Sequence, residues 1–345
     1  LTPNLNKLIE DGIFMDRCFS VGHRTTYGLC GIMCGFPDLP ARSITTSEKS
    51  LGNFLTLAGV LKKRHYKTIF IYGGQPYYDH RQSFLASNGV EKFVFEEDFP
   101  QKTFKSHLGW CDEDLFAAAD KTFEQQNRPF FAVLLTLAFH RDYDIPQGKI
   151  QPDPSGHPYE KQRAAIKYAD FAIGRFMQKA KESPYFDNTI FVFAADHSGG
   201  YLDKEPEPTA FRVPFLIYAP KIIGTEEKRI SRVCSQTDIA PTVISLLGGS
   251  YSHSFFGSNV LKRKPGKDRA LIQAGDGTLA YINGTGNMVV VPPYESKVSL
   301  YRYELPDKLI PVKNNRKMAN ELKNQATSIL QTANHLFHNK NYKQP

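Results

Sequence analysis

A carboxylate and an imidazole stand side by side at Asp196 and His197, and Gly199 and Gly200 follow closely. The run before them, Thr189–Ala195, is short, continuously apolar and rich in β-branched and aromatic residues. Such a run is typical of a strand buried on both faces of a parallel sheet. Ligands of open α/β sheets bind beyond the carboxyl ends of the strands, and both side chains are good ligands for divalent cations. The pattern therefore suggests a metal site, and the alternative is an ordinary turn capped by Asp196 with His197 on the surface.

A second reactive group, the hydroxyl of Thr25, follows Gly22, His23 and Arg24 at a predicted strand-to-helix turn. The N-terminus of a helix stabilises developing negative charge. A threonine hydroxyl is a poor nucleophile until a metal ion or a base lowers its pKa. Taken alone, Thr25 is therefore interpreted as a helix cap, and its possible role as a nucleophile depends on the rest of the chain.

The loop Tyr72–Arg81 mixes aromatic side chains with His80 and Arg81 directly after a predicted strand. Such a loop could hold a sugar or a phosphate headgroup, because an arginine binds phosphate with two parallel hydrogen bonds. An ordinary surface loop would have the same composition.

Three further positions follow the same logic. His140 comes after the predicted strand Phe130–Ala138, at the sheet edge where Asp196 is expected. The only tryptophan, Trp110, lies just before a predicted helix that Asp112 would cap. Each of the three has a structural interpretation that is at least as ordinary as a functional one.

The composition is that of a soluble globular protein, with 345 residues, 41% hydrophobic and 23% charged. The net charge of +8 suits phosphate-bearing ligands or an anionic membrane surface, although an ordinary solvated surface is the favoured explanation. There is no arginine-rich block, which argues against nucleic acid as a partner. The five cysteines show neither a CxxC pair nor zinc-ribbon spacing, and no apolar run approaches the roughly 20 residues of a membrane helix.

Strands that alternate with helices predict an α/β fold with a mostly parallel central sheet and helices on both faces. The predicted strands are Ile13–Ser20, Lys67–Tyr72, Phe130–Ala138, Thr189–Ala195 and Phe215–Tyr218. The predicted helices run from Thr2-Pro3 to Gly12, from the Thr25 turn to Gly35, and over Leu51–Arg64, Asp112–Gln126, Tyr159–Lys181 and Asp238–Leu247.

The sequence changes in character after about Phe256. Short alternating strands over Ala270–Val291 are broken by Gly-Asp-Gly and Asn-Gly, which are hairpin signals. An apolar stripe at helical spacing then extends from Met318 to Phe337. We therefore expect a main domain over residues 1–262 and a small antiparallel sheet with a closing helix over 263–345.

Several of these motifs, in order, resemble the lipoteichoic-acid-synthase-like family, the phosphoglycerol transferase branch of the sulfatase and alkaline phosphatase superfamily. The resemblance holds from Leu1 to about Gly257, and the tail helix is also similar. It rests on the segments GHRTTYG, IFIYGGQPYYDHRQSFLASNG, WCDEDLF, FHRDY, NTIFVFAADHSGG, VPFLIYAPK and SQTDIAPTVISLLG.

The resemblance implies roles for individual residues. Thr25 matches a threonine that is both nucleophile and metal ligand, and Asp196 and His197 match two further ligands of one divalent ion. That ion is usually manganese, with magnesium or zinc as alternatives. His140 matches a histidine that contacts the transferred phosphate. The YYDHR loop departs from the commoner forms of the family. The resemblance nevertheless implies substrate-binding roles for Arg24, His80, Arg81, Trp110 and Asp112.

Two departures from the family pattern bear on function. The family's remaining metal ligand is an acidic residue at the end of a strand ahead of the TPNL segment, and membrane helices precede its catalytic domain. The chain opens on an amphipathic helix pattern, so we expect both features to lie upstream of Leu1. The sulfatase signature is Cys or Ser with Pro two positions later and Arg four positions later. It is missing here, because Tyr27 stands two positions after Thr25 and Leu29 four positions after it. Sulfate ester hydrolysis is therefore disfavoured.

The function implied by the resemblance is metal-dependent transfer of a phosphoglycerol-type or phosphoethanolamine-type headgroup. The donor would be a phospholipid, the acceptor a glycan or a growing polymer, and the intermediate a phospho-threonine. The domain would lie outside the cytoplasm, at a bacterial cell membrane. Two alternatives remain open, which are a phosphodiester or phosphomonoester hydrolase using the same site and a non-catalytic periplasmic domain that binds lipid headgroups.

Overall fold

The fold is seen in a computed structural model that describes residues 1–37, 39–40, 43–151, 156, 158–198, 208–224, 228–293, 298–304 and 308–343. Gly199 and Gly200, which follow the predicted metal ligands, lie outside these described residues.

Helix signals in the sequence mark most helix ends well. The first helix has Thr2 as its N-cap residue and Pro3 in its first turn, and it ends before Gly12, as predicted. The second ends at Gly35, whose φ of 54° is the left-handed conformation that glycine adopts at low cost. The α-helices within the described residues are α1 (Pro3–Asp11), α2 (Thr25–Cys34), α3 (Leu57–Lys63), α4 (Arg81–Ser87), α5 (Asp112–Glu124), α6 (Glu160–Ala180), α7 (Pro208–Phe211), α8 (Ile239–Leu246) and α9 (Arg316–His338).

The strands form three sheets and confirm the α/β class. A five-stranded sheet has the order β5-β6-β1-β7 with β8 also paired to β1, and a three-stranded sheet has the order β3-β2-β4. Strands β7 and β8 pair parallel to β1, and strands β3 and β4 pair parallel to β2. These strands are β1 (Ile13–Phe19), β2 (Lys67–Tyr72), β3 (Lys92–Val94), β4 (Phe130–Leu135), β5 (Phe191–Ala194), β6 (Arg212–Tyr218), β7 (Arg229–Ile230) and β8 (Cys234–Ser235).

The C-terminal part of the chain forms the predicted antiparallel sheet with its closing helix. The five strands pair in chain order from β9 to β13, and two of them lie beyond the predicted segment. One face of the sheet packs on α9, where Leu322 and Ala326 contact Tyr281 and Val289, so the predicted apolar stripe is confirmed. The strands are β9 (Arg269–Gln273), β10 (Leu279–Asn283), β11 (Asn287–Val291), β12 (Ser299–Glu304) and β13 (Lys308–Pro311).

Three predicted elements are shorter than expected, and one of them is the strand predicted over Thr189–Ala195, which is reduced to β5. The helix predicted over Leu51–Arg64 is helical only as α3, because Gly52 and Asn53 have φ angles of 74° and 61°, which a right-handed helix does not accommodate. The strand predicted over Phe130–Ala138 ends at Leu135. Beyond it, the backbone N–H groups donate to a side chain and not to a neighbouring strand.

The described chain divides into two compact units by its internal contacts. The first unit comprises Leu1–Ile13, Leu61–Val192 and Leu216–Lys228, and the second comprises Phe14–Val60, Phe193–Phe215 and Arg229–Pro345. The division at residue 262 inferred from the sequence stays a prediction.

Candidate active site

Thr25 lies at the start of α2, in the second unit. The N-cap residue is Arg24, with extended φ and ψ of −136° and 152°, and it makes no side-chain capping bond. The interpretation of Thr25 as the helix cap is therefore wrong, since Thr25 is the first residue inside the helix. Its half-buried hydroxyl makes no hydrogen bond to any described residue. The first backbone N–H groups of an uncapped helix remain available to an anion, so the hydroxyl stands beside a favourable place for a phosphate.

Asp196 and His197 follow β5, as predicted, and both lie in the second unit. Local hydrogen bonds orient their side chains. The backbone N–H of His197 donates to Asp196 Oδ1 at 2.9 Å, and His197 Nδ1 donates to the Ser198 carbonyl at 2.7 Å. The lone pair of neutral His197 is therefore on Nε2, which lies 3.6 Å from Asp196 Oδ2. Two ligand atoms about 2.1 Å from one tetrahedral ion stand about 3.4 Å apart, so this pair fits a divalent cation.

The backbone of α2 packs closely against Asp196. A Cβ atom on Gly28 would overlap the Asp196 carbonyl group. A glycine at this position therefore lets the helix that begins with Thr25 approach the predicted metal ligands. This contact brings together, within one unit, the two motifs that the sequence assigned to the reaction.

His23 is a residue of this region that the sequence reasoning did not select. Its ring packs edge-on against the Tyr27 ring at a centroid distance of 5.6 Å. It also lies so close to Gly275 that a Cβ atom at that position would be 2.8 Å from the ring. Burial lowers the pKa of His23, the positive charge of Arg24 and the neighbouring His197 lower it further, and Asp276 opposes them. The ring is therefore neutral at pH 7, and its buried Nδ1 has no hydrogen-bond partner among the described residues.

Arg81, in the first unit, is a buried cation with spare donors. Its side chain is 7% exposed, and its guanidinium carbon lies 4.8 Å from the centre of the Tyr72 ring and 5.8 Å from that of Tyr78. One nitrogen, Nη2, is 3.6 Å from Asp79 Oδ2. Nε and Nη1 are buried without a hydrogen-bond partner in the described part of the chain. Since a buried cation normally has its donors satisfied, this arrangement suits an anionic or hydroxyl-rich ligand.

Strained backbone lies beside two of the predicted site residues. Asp79 and His80, directly before Arg81, have φ angles of 56° and 53°, and Asp142 and Tyr143 have φ angles of 82° and 54°. Residues other than glycine rarely adopt these angles, and such strain is concentrated at functional sites. The strain therefore supports the selection of the loops that carry His80, Arg81 and His140.

Trp110 is anchored at the carboxyl end of β2. Its backbone N–H donates to the Gly73 carbonyl at 2.9 Å, and a Cβ atom on Gly73 would lie 2.6 Å from the Trp110 carbonyl oxygen. The ammonium groups of Lys102 and Lys105 lie 6.0 and 5.4 Å from the indole. The indole therefore stands in a positively charged environment, next to the strand that leads to Arg81.

Asp112 has a different role from the predicted helix cap. The N-cap residue of α5 is Cys111, and Asp112 Oδ1 accepts hydrogen bonds from the N–H groups of Leu137 and Ala138 at 2.8 and 3.3 Å. The residue is 1% exposed, so the cap interpretation is wrong and direct contact with substrate is not favoured. Burial raises the pKa of Asp112 to about 6, although the two N–H donors lower it. The carboxyl group fixes the turn that precedes His140.

His140 is exposed on that turn, as expected of a residue that faces ligand and not the core. Its ring lies 6.3 Å from that of His107, and His107 Nδ1 is 3.7 Å from Asp142 Oδ2. The first unit thus carries His80, Arg81, Trp110, Asp112 and His140, and the second carries Arg24, Thr25, Asp196 and His197. Among the described residues there is no group of three or more His, Cys, Asp or Glu side chains placed to hold a metal ion.

Residues 1–250 match the sulfatase family. The chain therefore belongs to the sulfatase family. A protein of the alkaline phosphatase superfamily from Vibrio parahaemolyticus is 30% identical, with a TM-score of 0.89 over 100% of this chain and 83% of that one.

Curated relatives name the branch of the family to which the chain is similar. The lipoteichoic acid synthase-like YvgJ of Bacillus subtilis is 24% identical over 271 residues, or 72% of this chain and 43% of the relative. Phosphoglycerol transferase I of Xanthomonas campestris is 26% identical over 331 residues, or 84% of this chain and 46% of the relative. The chain spans about half the length of these relatives. The lipoteichoic acid synthase LtaP of Listeria monocytogenes has the same fold, with 21% identity and a TM-score of 0.83 over 98% of this chain and 86% of that one.

None of the helices in the described ranges is both long enough and apolar enough to cross a bilayer.

Proposed function

We propose that the chain transfers a phosphoglycerol-type headgroup from a phospholipid to a glycan or polymer acceptor through a phospho-threonine at Thr25. Phosphoethanolamine is the alternative headgroup. The observation that carries the proposal is a pair of candidate metal-ligand atoms, Asp196 Oδ2 and His197 Nε2, which lie 3.6 Å apart. They stand on a segment that packs against α2 at Gly28. The names of the curated relatives support the same reaction.

Thr25, Asp196 and His197 would together hold one divalent ion, with manganese as the first candidate and magnesium or zinc as alternatives. Their hydroxyl, carboxylate and imidazole groups suit these ions. When bound, such an ion lowers the pKa of a hydroxyl and balances the charge on phosphoryl oxygens.

The protein's own groups account for the two half-reactions. In the first, Thr25 Oγ1 loses its proton to solvent and attacks phosphorus in line, and the bond from phosphorus to the diacylglycerol oxygen breaks. That oxygen takes a proton from solvent, and His140 stabilises the charge on the phosphoryl oxygens. In the second, an acceptor hydroxyl loses its proton and attacks the same phosphorus, which releases the Thr25 oxygen to be protonated again.

Binding of the headgroup is assigned to Arg81, with His80, Trp110 and Arg24 as further contacts. Support comes from two nitrogens of the buried guanidinium, Nε and Nη1, which have no hydrogen-bond partner among the described residues. A planar fork of donors matches a phosphate or a pair of hydroxyls better than a single ammonium group does. We assign to Asp112 the positioning of the His140 turn. The site of action would be the outer side of a bacterial cell membrane.

The test is turnover of phosphatidylglycerol vesicles with Mn²⁺, followed by the release of diacylglycerol. Thr25→Ala should lower the rate at least 10³-fold, which corresponds to about 4 kcal/mol of transition-state stabilisation. Thr26→Val, at the next position in the helix, is the matched control and should keep a rate within a few-fold of the wild type.

The alternatives give distinct results in the same assay. Free glycerol phosphate formed at one rate with and without a glycan acceptor would identify a hydrolase. Binding of vesicles without any turnover would identify a non-catalytic headgroup-binding domain. A Thr25→Ala variant that retains more than about a tenth of the rate would contradict the nucleophile assignment, since under 1.4 kcal/mol would then be involved.

A further inference from the structure

Gln236 is a fully buried polar side chain in the segment between β8 and α8, and it was not among the predicted site residues. It begins a short 3₁₀ turn, which is closed by a hydrogen bond from the Ser235 N–H to Asp238 Oδ2 at 2.9 Å. The relative exposure of Gln236 is 0%, which makes each of its amide hydrogen bonds costly to lose.

Both ends of the Gln236 amide group form hydrogen bonds with segments next to the predicted site residues. Oε1 accepts from the backbone N–H of Val21 at 3.0 Å, and Nε2 donates to the carbonyls of Ala195 and Asp196 at 2.8 and 2.6 Å. These partners fix the orientation of the amide, because a backbone N–H can only donate and a carbonyl can only accept. Val21 leads into the turn that carries Thr25, and Asp196 is a predicted metal ligand.

The same side chain also supports α2. A Cβ atom on Gly31 would lie 3.0 Å from Gln236 Cβ and 3.2 Å from its Oε1. Gln236 therefore touches the segment before Thr25, the helix that Thr25 begins and the segment that ends in Asp196. Within the second unit, this one amide connects the nucleophile and the metal ligands.

From this geometry we infer that Gln236 is a positioning residue, which sets the distance between the Thr25 turn and the Asp196–His197 pair. The inference rests on the proposed function. The amide contacts neither substrate nor metal and acts through Val21 and Asp196. Groups that hold ligands in this way typically change metal affinity or activity about 10- to 100-fold when they are replaced.

Two variants separate hydrogen bonding from packing. Gln236→Glu keeps the shape and the acceptor for Val21 but places an oxygen against two carbonyls. Gln236→Met keeps the volume and removes all three hydrogen bonds. Thr242→Val is the matched control, because Thr242 is equally buried and, among the described residues, its hydroxyl bonds to Asp238 and Val260 at 2.6 and 3.1 Å.

The measurement is binding of Mn²⁺ alone by titration calorimetry, with the turnover number and KM for phosphatidylglycerol measured alongside. Both Gln236 variants should bind Mn²⁺ about 10- to 100-fold more weakly and lose turnover, with KM little changed. Thr242→Val should lose thermal stability without either effect. Circular dichroism identifies any variant that has failed to fold, and the other Gln236 variant then decides.

The outcomes distinguish this inference from the proposed function. A wild-type chain that binds no Mn²⁺ and turns over no donor would overturn the proposed function. A wild-type chain that does both, with folded Gln236 variants that match it in affinity and turnover, would overturn the positioning role alone. Equal losses in Thr242→Val would show that the effect is one of stability and would also overturn that role.

Discussion

The two groups of site residues are built in different ways. In the second unit, Thr25, Asp196 and His197 stand on regular elements and their ends, held by a buried amide and by glycine contacts between backbones. In the first unit, Arg81 and His140 stand in or beside loops with left-handed residues, and the spare donors of Arg81 have no partner in the described chain.

The difference matches the chemistry assigned to each group. Metal ligands and a nucleophile require positions fixed within fractions of an ångström, which buried hydrogen bonds provide. A headgroup-binding region benefits from donors that remain unsatisfied until the ligand arrives, and backbone strain can hold such donors in place. Replacements in the second unit should therefore change metal binding and turnover, whereas replacements in the first should change substrate binding or phosphate chemistry without loss of the metal.

The largest expected effect is on metal affinity. His197→Ala should weaken Mn²⁺ binding at least about 100-fold, beyond the range typical of residues that only orient ligands. His140→Ala should lower turnover and leave the Mn²⁺ affinity unchanged, because the role proposed for His140 is to contact the phosphate and not the ion. Titration calorimetry with MnCl₂ measures both. If the two variants lose the same affinity, His140 is a ligand and the division between the groups fails.

A smaller effect is expected at Arg81. Arg81→Lys keeps the charge but loses the planar fork, so KM for phosphatidylglycerol should rise about 10- to 100-fold, or about 1.5–3 kcal/mol. The Mn²⁺ affinity should not change. Arg128→Lys, at a half-exposed arginine 3.4 Å from Glu91, is the control and should leave KM unaltered. A lysine variant with wild-type KM would show that the spare donors do not bind the headgroup.

The smallest effect on catalysis is expected at Asp112, which is tested through the pH dependence of stability. Burial raises the pKa of this carboxyl from 3.8 to about 6, so the native state holds the proton more tightly than the unfolded state does. The stabilisation is fully present below pH 3.8 and is lost as the pH rises through about 6. Relative to Asp112→Asn, the wild-type free energy of unfolding should fall by about 3 kcal/mol across this window, because each pKa unit corresponds to about 1.4 kcal/mol.

Urea unfolding of both proteins at several pH values between 4 and 8 measures this difference. A constant difference between wild type and Asp112→Asn would contradict a proton held at this carboxyl. A constant difference would not alter the assignments in the second unit.

Local patterns predicted much of the fold. The run before Asp196, the turn at Thr25 and the stripe of α9 are local in sequence, and each was found where it was expected. The end of β4 and the start of α3 were missed because they depend on Asp112 and on left-handed residues at 52 and 53. Periodicity contains neither signal.

Gln236 and His23 show the limit of sequence reasoning most clearly. The hydrogen bonds of Gln236 join it to residues 215 and 40 positions away, so its role exists only once the fold is formed. A polar residue before an apolar helix pattern reads as an ordinary turn residue. His23 was also missed, because its environment depends on the fold. Its ring packs against Tyr27 and against the distant Gly275.

The central claim, that Thr25 is the nucleophile, is tested most directly by trapping the intermediate. The chain would be incubated with Mn²⁺ and phosphatidylglycerol labelled in its headgroup, without acceptor, then quenched in acid and mapped by peptide mass spectrometry. We expect glycerol phosphate on Thr25, absent from Thr25→Ala and discharged when a glycan acceptor is added before the quench. Turnover of the donor with no covalent label, or with the label on another residue, would contradict the account.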